Sequence, residues 1–303
     1  MQFFKIAIIF IVASGIIIYA VSQGPALKDK LDLFSFKPIK FSPKTSAPSV
    51  QEPQEIQETQ EPQKPIKEIP DYKIPAGFNR EELSSYFEKV QISSVSFYSY
   101  GAGAYPKTLK LYSYLEKDES INVSGWKIKG NRYEMAIPKA VMIYNPEGDN
   151  KEEDIVLSDN NYLTVYGSKS PLNKNLRLNM CSGYLNNFFD FNPDLPNDCP
   201  AIERSEYTDL SGQCQSYLMS LGRCKMPDVN FYNSLPGTDQ GNACRQFLNT
   251  ISHGACFKKY RNDNDFLSNE WRIWINEDFR FDSSHDRLLL FGKEGLLVDE
   301  YVY

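Results

Sequence analysis

Histidine is almost missing from this chain: His253 and His285 are the two in 303 residues. A metal centre built on several imidazoles is therefore nearly excluded, and no cofactor is expected. Excess positive charge is missing too, since 33 Lys and Arg stand against 39 Asp and Glu, a net charge of −6. Nucleic acid, which is gripped through clustered Lys and Arg, is not an expected partner. Cysteine is absent from residues 1–180 and again after Cys256. The six that exist, Cys181, Cys199, Cys214, Cys224, Cys244 and Cys256, include no Cys-x-x-Cys pair. An even number without zinc spacing points to three disulfides, and so to an oxidising compartment outside the cytosol. Paired catalytic carboxylates, a phosphate-cradling loop and metal motifs are also absent, so the sequence carries no signature of catalysis.

What is present begins with residues 6–21, an uncharged run dominated by Ile, Val, Ala and Phe. As a helix rising ~1.5 Å per residue it is ~24 Å long. With its flanks, residues 3–22, it nearly matches a hydrocarbon core of ~30 Å. Lys5 lies on the short side, which assigns that side to the cytoplasm. Ala20-Val21-Ser22 resembles a small-x-small cleavage site, so a cleaved signal peptide and a secreted product form the competing reading. Both readings export everything after residue 22. Residues 23–75 then read as a linker, with eight prolines between Pro38 and Pro75 set among Gln, Glu, Lys, Ser and Thr. Such a stretch buries too little apolar surface to fold; at ~3.1 Å per residue it reaches on the order of 100 Å when extended.

Ordered structure is expected over residues 76–303. Asn79 suits the cap of a short helix running to about Phe87, with Glu81 and Glu82 in its first turn. Strand-like segments follow at 90–98, 108–115, 121–129, 133–137, 141–144, 155–157 and 162–166, separated by turn signals. Within them, Val123, Trp126 and Ile128 are the residues expected to pack a sheet core. Ser124-Gly125 interrupts the alternation, which predicts a bulge or bend that turns the indole inward. Strands resume at 269–275, where Trp271, Ile273 and Ile275 share one side, and at 286–290 and 296–303. Many short strands without intervening helices predict a mainly β fold, a sandwich.

Residues 170–266 break this pattern: they are polar, turn-rich and hold every cysteine. Apolar spacings of three and four predict two helices, over 211–222 and 239–254, each stopped by a glycine. Cys214 and Cys224 are then ~15 Å apart along one helix, too far for a disulfide, which needs Cα atoms within ~7 Å. Packed as an antiparallel hairpin, the helices set Cys214 beside Cys256 and Cys224 beside Cys244, which leaves Cys181 for Cys199.

Val123-Ser-Gly-Trp-Lys-Ile128 resembles the "L-S-G-W" strand of the lamin tail domain family. Ile137-Pro138-Lys139-Ala140 resembles the short edge that follows it, and Asn161–Tyr166 the next strand. Residues 286–301 are similar to the family's closing hairpin. The resemblance covers about residues 90–166 and 269–303. It implies an immunoglobulin-like β-sandwich that is a non-catalytic interaction module, as in exported bacterial members. The departures are Asn122 where the family has an acidic residue, Thr108-Leu-Lys-Leu111 in place of "W-I-E-L", and the cysteine-rich insert.

Other features admit plain readings. Ser283-Ser284-His285-Asp286 holds the residue types of a catalytic triad, but adjacent residues in a turn cannot converge, so a solvated turn is expected. His253 precedes a glycine that stops a helix, where a cation suits the C-terminus. Asn262 to Asp265 and residues 236–242 are rich in oxygen ligands but lack EF-hand spacing. Asn122-Val-Ser124 is a glycosylation sequon inside a strand. Tyr98, Tyr100 and Tyr105 are candidates for an exposed aromatic patch. The expected function is a membrane-tethered extracytoplasmic binding or scaffolding module, not an enzyme, whose partner is a protein or cell-surface polymer. The alternatives are an envelope hydrolase with its site in the insert, or a structural surface protein that assembles through sandwich edges.

Overall fold

The computed structural model describes residues 69–97 and 106–303. The expected anchor over residues 1–22, nearly all of the linker, and Tyr98, Tyr100 and Tyr105 lie outside the described residues. Among the described residues no helix is long and apolar enough to cross a membrane.

The strands are β1 (Val90–Ser96), β2 (Thr108–Ser113), β3 (Ser120–Asn122), β4 (Lys127–Lys129), β5 (Glu134–Ala136), β6 (Val156–Ser158), β7 (Tyr162–Tyr166), β8 (Leu176–Asn179), β9 (Leu267–Trp274), β10 (Arg287–Phe291) and β11 (Leu297–Val302). They form a five-stranded sheet in the order β1-β2-β7-β9-β8, a four-stranded sheet β11-β10-β4-β5, and the pair β3-β6. Period-two alternation places Leu109, Leu111 and Ser113 of β2 inside. The inner faces meet in one core, where Ile92, Leu111, Leu163, Trp271 and Ile273 face Ile128, Met135, Leu288, Leu290 and Val298. The fold is thus a β-sandwich with three disulfides and a few short helices.

Val123, Trp126, Ile128 and Trp271 are all buried. The chain bends at Gly125, whose φ of +82° is cheap only for glycine, and this bend divides residues 121–129 into β3 and β4. Trp126 follows the bend and lies in the core. The expected helix to Phe87 is instead a single 3-10 turn, Arg80–Glu82, capped by Asn79. It stops there because buried Leu83 is drawn into a parallel bridge with Leu297. Residues 141–144 are not a strand: Val141 makes one bridge, to Leu176.

Asp299 ties the sheets together, its Oδ2 accepting the Ile92 N–H at 2.7 Å. Burial pushes its carboxyl up to about 6 from an ordinary 3.8. The folded state therefore holds this proton more tightly than the unfolded chain. The ionisation cost is absent below the unfolded value, grows as pH rises through about 6, and is complete above it. An asparagine at this position would keep the acceptor and carry no charge. After a discount for partial exposure, Asp299→Asn is expected to add on the order of 1–2 kcal/mol at pH 8 and almost nothing at pH 4. Urea midpoints at the two pH values check this; equal shifts at both would refute it.

β9 runs parallel to β7 and antiparallel to β8, and is buried on both faces. One face enters the sandwich core. On the other, Trp274 stacks on Tyr166 and packs against Phe191 and Leu195. β8 is a strand within residues 170–266, so the excursion is shorter than the sequence indicates. It leaves and rejoins the sheet where Met180 N–H donates to Phe266 O at 3.0 Å.

Between those points lie two 3-10 turns, Ser182–Asn187 and Arg204–Glu206, and four α-helices rather than a two-helix hairpin: α1 (Gly212–Ser220), α2 (Val229–Ser234), α3 (Asp239–Leu248) and α4 (His253–Tyr260). Ser211, Asp228, Thr238 and Ser252 cap the α-helices in turn. The disulfides are Cys181–Cys256, Cys199–Cys224 and Cys214–Cys244, with Cα separations of 5.9, 5.3 and 6.0 Å. The expected pairs, Cys181–Cys199, Cys214–Cys256 and Cys224–Cys244, are therefore corrected. The segment expected as one helix over 239–254 turns between α3 and α4, which carries Cys256 away from α1. Cys224, at φ +59°, instead faces Cys199, and its Sγ fills the space where a side chain on Gly183 would begin.

Candidate functional site

The insert has its own apolar core, in which the six cysteines pack with Tyr207, Leu218, Leu235, Leu248, Phe257 and Phe266. So few apolar residues make a marginal core, and three covalent links fix what burial alone does not. All six cysteines are paired, in accord with an oxidising, extracytoplasmic environment.

A groove of about 620 Å³ runs along this stapled unit. α4 forms one wall, the turn after α3 a second, and residues 200–202 a third. Tyr184, Ile202, Phe247, Ile251, Cys256 and Tyr260 line it. Lys258, Lys259 and Glu206 supply its charge. Lys259 Nζ lies 3.2 Å from Glu206 Oε2 and 5.1 Å from the Tyr260 ring centroid. Hydrogen bonding with Tyr260, then with Glu206, holds the Lys259 ammonium above the ordinary lysine range. Thr250 lines the groove too, but its hydroxyl donates to Phe247 O at 2.7 Å. Glu206 is the single carboxylate of the lining, and no histidine or serine accompanies it. Apolar and aromatic walls with a few polar ends suit retention of an apolar segment.

A second hollow, of about 480 Å³, is polar, lined by Glu134, Glu152 and Glu277 among asparagines. These carboxylates are engaged. Glu134 pairs with Lys127 at 2.8 Å, and Glu152 accepts the Asn175 N–H at 3.5 Å. Glu277 accepts the Tyr133 hydroxyl at 2.7 Å and pairs with Arg280 at 3.1 Å. The Tyr133 hydrogen bond holds the Glu277 carboxyl below its usual range.

The outer face of the sheet beneath the insert carries a buried ion pair. Arg272 and Glu270 are 6% and 9% exposed. Arg272 Nε donates to Glu270 Oε1 at 2.7 Å, and its Nη1 to the carbonyls of Pro193 and Asp194 at 3.0 Å each. Tyr162 donates to the other Glu270 oxygen at 3.1 Å, and Arg272 lies over the Tyr166 ring. Sequence alternation singles out neither residue, because both lie on the side of β9 that a two-layer sandwich exposes.

The residues that the sequence does single out do not converge. His285 is exposed, with Nδ1 2.8 Å from Tyr303 O. Asp286 is fully buried rather than solvated, and it accepts the N–H groups of Asn131, Asp282 and Arg287. Gly130 must lack a side chain there, since a Cβ would lie 2.7 Å from Asp286 Oδ2. His253 opens α4 instead of closing a helix, and Gly254 lies inside α4. Residues 236–242 cap α3 through Thr238, while Asn242 Oδ1 accepts from Arg245 at 3.0 Å. Asp263 shapes a turn through its backbone. Among the described residues no group of three His, Cys, Asp or Glu gathers to hold a metal ion. Asn122 donates to Asp154 at 2.7 Å and accepts from Ser124 N–H at 3.0 Å. Comparison with protein-family models, curated proteins and solved structures gives no match to this chain.

Proposed function

We propose that this chain is a membrane-tethered binding or scaffolding module whose insert groove takes a segment of a protein or cell-surface polymer outside the cytoplasm. On this reading residues 3–22 are the anchor and residues 23–75 the linker that follows it, as their composition indicates. The observation that carries the reading is the groove: an apolar, aromatic-walled hollow on a unit whose three disulfides fix its shape. Rigid walls lower the ordering cost of binding. The likeness to lamin tail domains supports a recognition role. Its two motif regions pair in one sheet, Leu290 of β10 opposite Ile128 of β4.

Assembly through sandwich edges is less favoured. Asp299 occupies the Ile92 N–H on the β1 side, Val141 bridges β8, and β5 is three residues long. Edges so short or covered are poor templates for pairing.

A photo-reactive amino acid at Ile202, in the full chain in membranes of the source cells, tests the proposal. A discrete adduct is expected there and not from Tyr114, an exposed aromatic just past the end of β2. Equal capture at both positions would overturn it.

A further inference from the structure

His253 is 4% exposed, and neither ring nitrogen has a hydrogen-bond partner among the described residues. A buried polar ring left in that state normally has a reason. It sits at the first position of α4, against the sandwich loop that follows Val141: its ring lies 5.7 Å from that of Tyr144. The charged groups at this junction are Glu147 on the loop and Lys258 on α4, which pair with each other at 3.1 Å. The carboxylate is thus engaged elsewhere. The amino end of a helix also carries partial positive charge, which opposes a cation on its first residue. Each of these features favours the neutral ring.

We propose that the first turn of α4 is an acid-released latch: protonation of His253 drives the ring out from between α4 and the Tyr144–Glu147 loop and frees that turn. The disulfide from Cys256 to Cys181 keeps the helix tethered, so the opening is local and reversible. Burial supports the same direction, pushing the imidazole down to about 4 from an ordinary 6.5. The neutral ring's contribution is whole above the unfolded value and is lost as pH falls through the folded one. Because α4 also walls the groove, acid would reshape it, a consequence that rests on the binding reading; the latch itself does not.

The test is amide hydrogen exchange of α4 in the full chain across pH 6 to 4, corrected for intrinsic rates. Linkage predicts opening that grows about tenfold per pH unit in that window, and His253→Phe should abolish the growth. His253→Gln serves if the Phe variant does not fold. In His285→Gln the one remaining imidazole signal reports when His253 protonates. The proposal is overturned if α4 exchange rises equally without the imidazole. It is also overturned if, in the chain retaining His253, the ring protonates while α4 exchange stays flat, a reading that needs no His253 variant.

Discussion

Replacing Arg272 with alanine is expected to destabilise the domain by about 3–5 kcal/mol, the usual cost of removing one partner of a buried ion pair. The truncation strips Glu270 of its 2.7 Å partner and leaves that carboxylate buried against the Tyr162 hydroxyl. It also leaves two carbonyls, those of Pro193 and Asp194, without their donor. A Glu270→Gln, Arg272→Met double variant removes both charges, so it should recover much of the loss. Urea denaturation under non-reducing conditions measures both. An Arg272→Ala change below about 0.5 kcal/mol, within the range of an ordinary surface substitution, would mean that the pair does not hold the insert's first loop to the sheet.

The second large effect is expected from opening Cys181–Cys256 in a Cys181→Ser, Cys256→Ser variant. This bridge spans 75 residues, the longest separation of the three. Loop-closure entropy puts its contribution at about 4 kcal/mol. The loss should fall on the insert, because the sandwich core contains neither cysteine. Tryptophan reports the difference. Trp126 and Trp271 lie in the sandwich core, whereas Trp274 lies under Phe191 and Leu195. Limited proteolysis should cut first within residues 181–265, with Trp274 losing its packing before the other two. A single cooperative loss of all three signals, with no early cleavage, would show that the two units unfold as one.

Sheet-forming segments are legible in the sequence where alternation and bulky residues coincide, as in β2 and around Trp126. There one side of the strand faces water, and composition records it. Legibility fails where both sides are covered. Leu176-Arg-Leu-Asn179 lies among lysines and asparagines and reads as loop, yet β9 makes it a strand. Trp274 and Arg272 likewise lie on the side that a simple sandwich leaves open.

The disulfide pairing fails for a different reason. Its geometry takes Gly254 as the end of a helix, but Ser252 begins another, and this turn moves Cys256 to a new partner. His253 reads as a helix-end cation and is a helix-start neutral ring. The groove is not legible at all, because its walls come from four separate stretches of chain that only the correct pairing brings together. The hydrogen bond between Ile92 and Asp299 across the sandwich, 207 positions apart, is equally invisible to local reading.

The single hydrogen bond from Met180 to Phe266 has an evolutionary consequence. Topologically, everything between those two residues is one elaborated loop joining adjacent antiparallel strands, comparable to the tip of a ribbon. A short turn could span the same gap, so the stapled insert is portable. It could be lost, lengthened or exchanged between lineages while the platform beneath keeps its strand order, provided Arg272, Glu270 and the Trp274 face that Phe191 and Leu195 cover change with it.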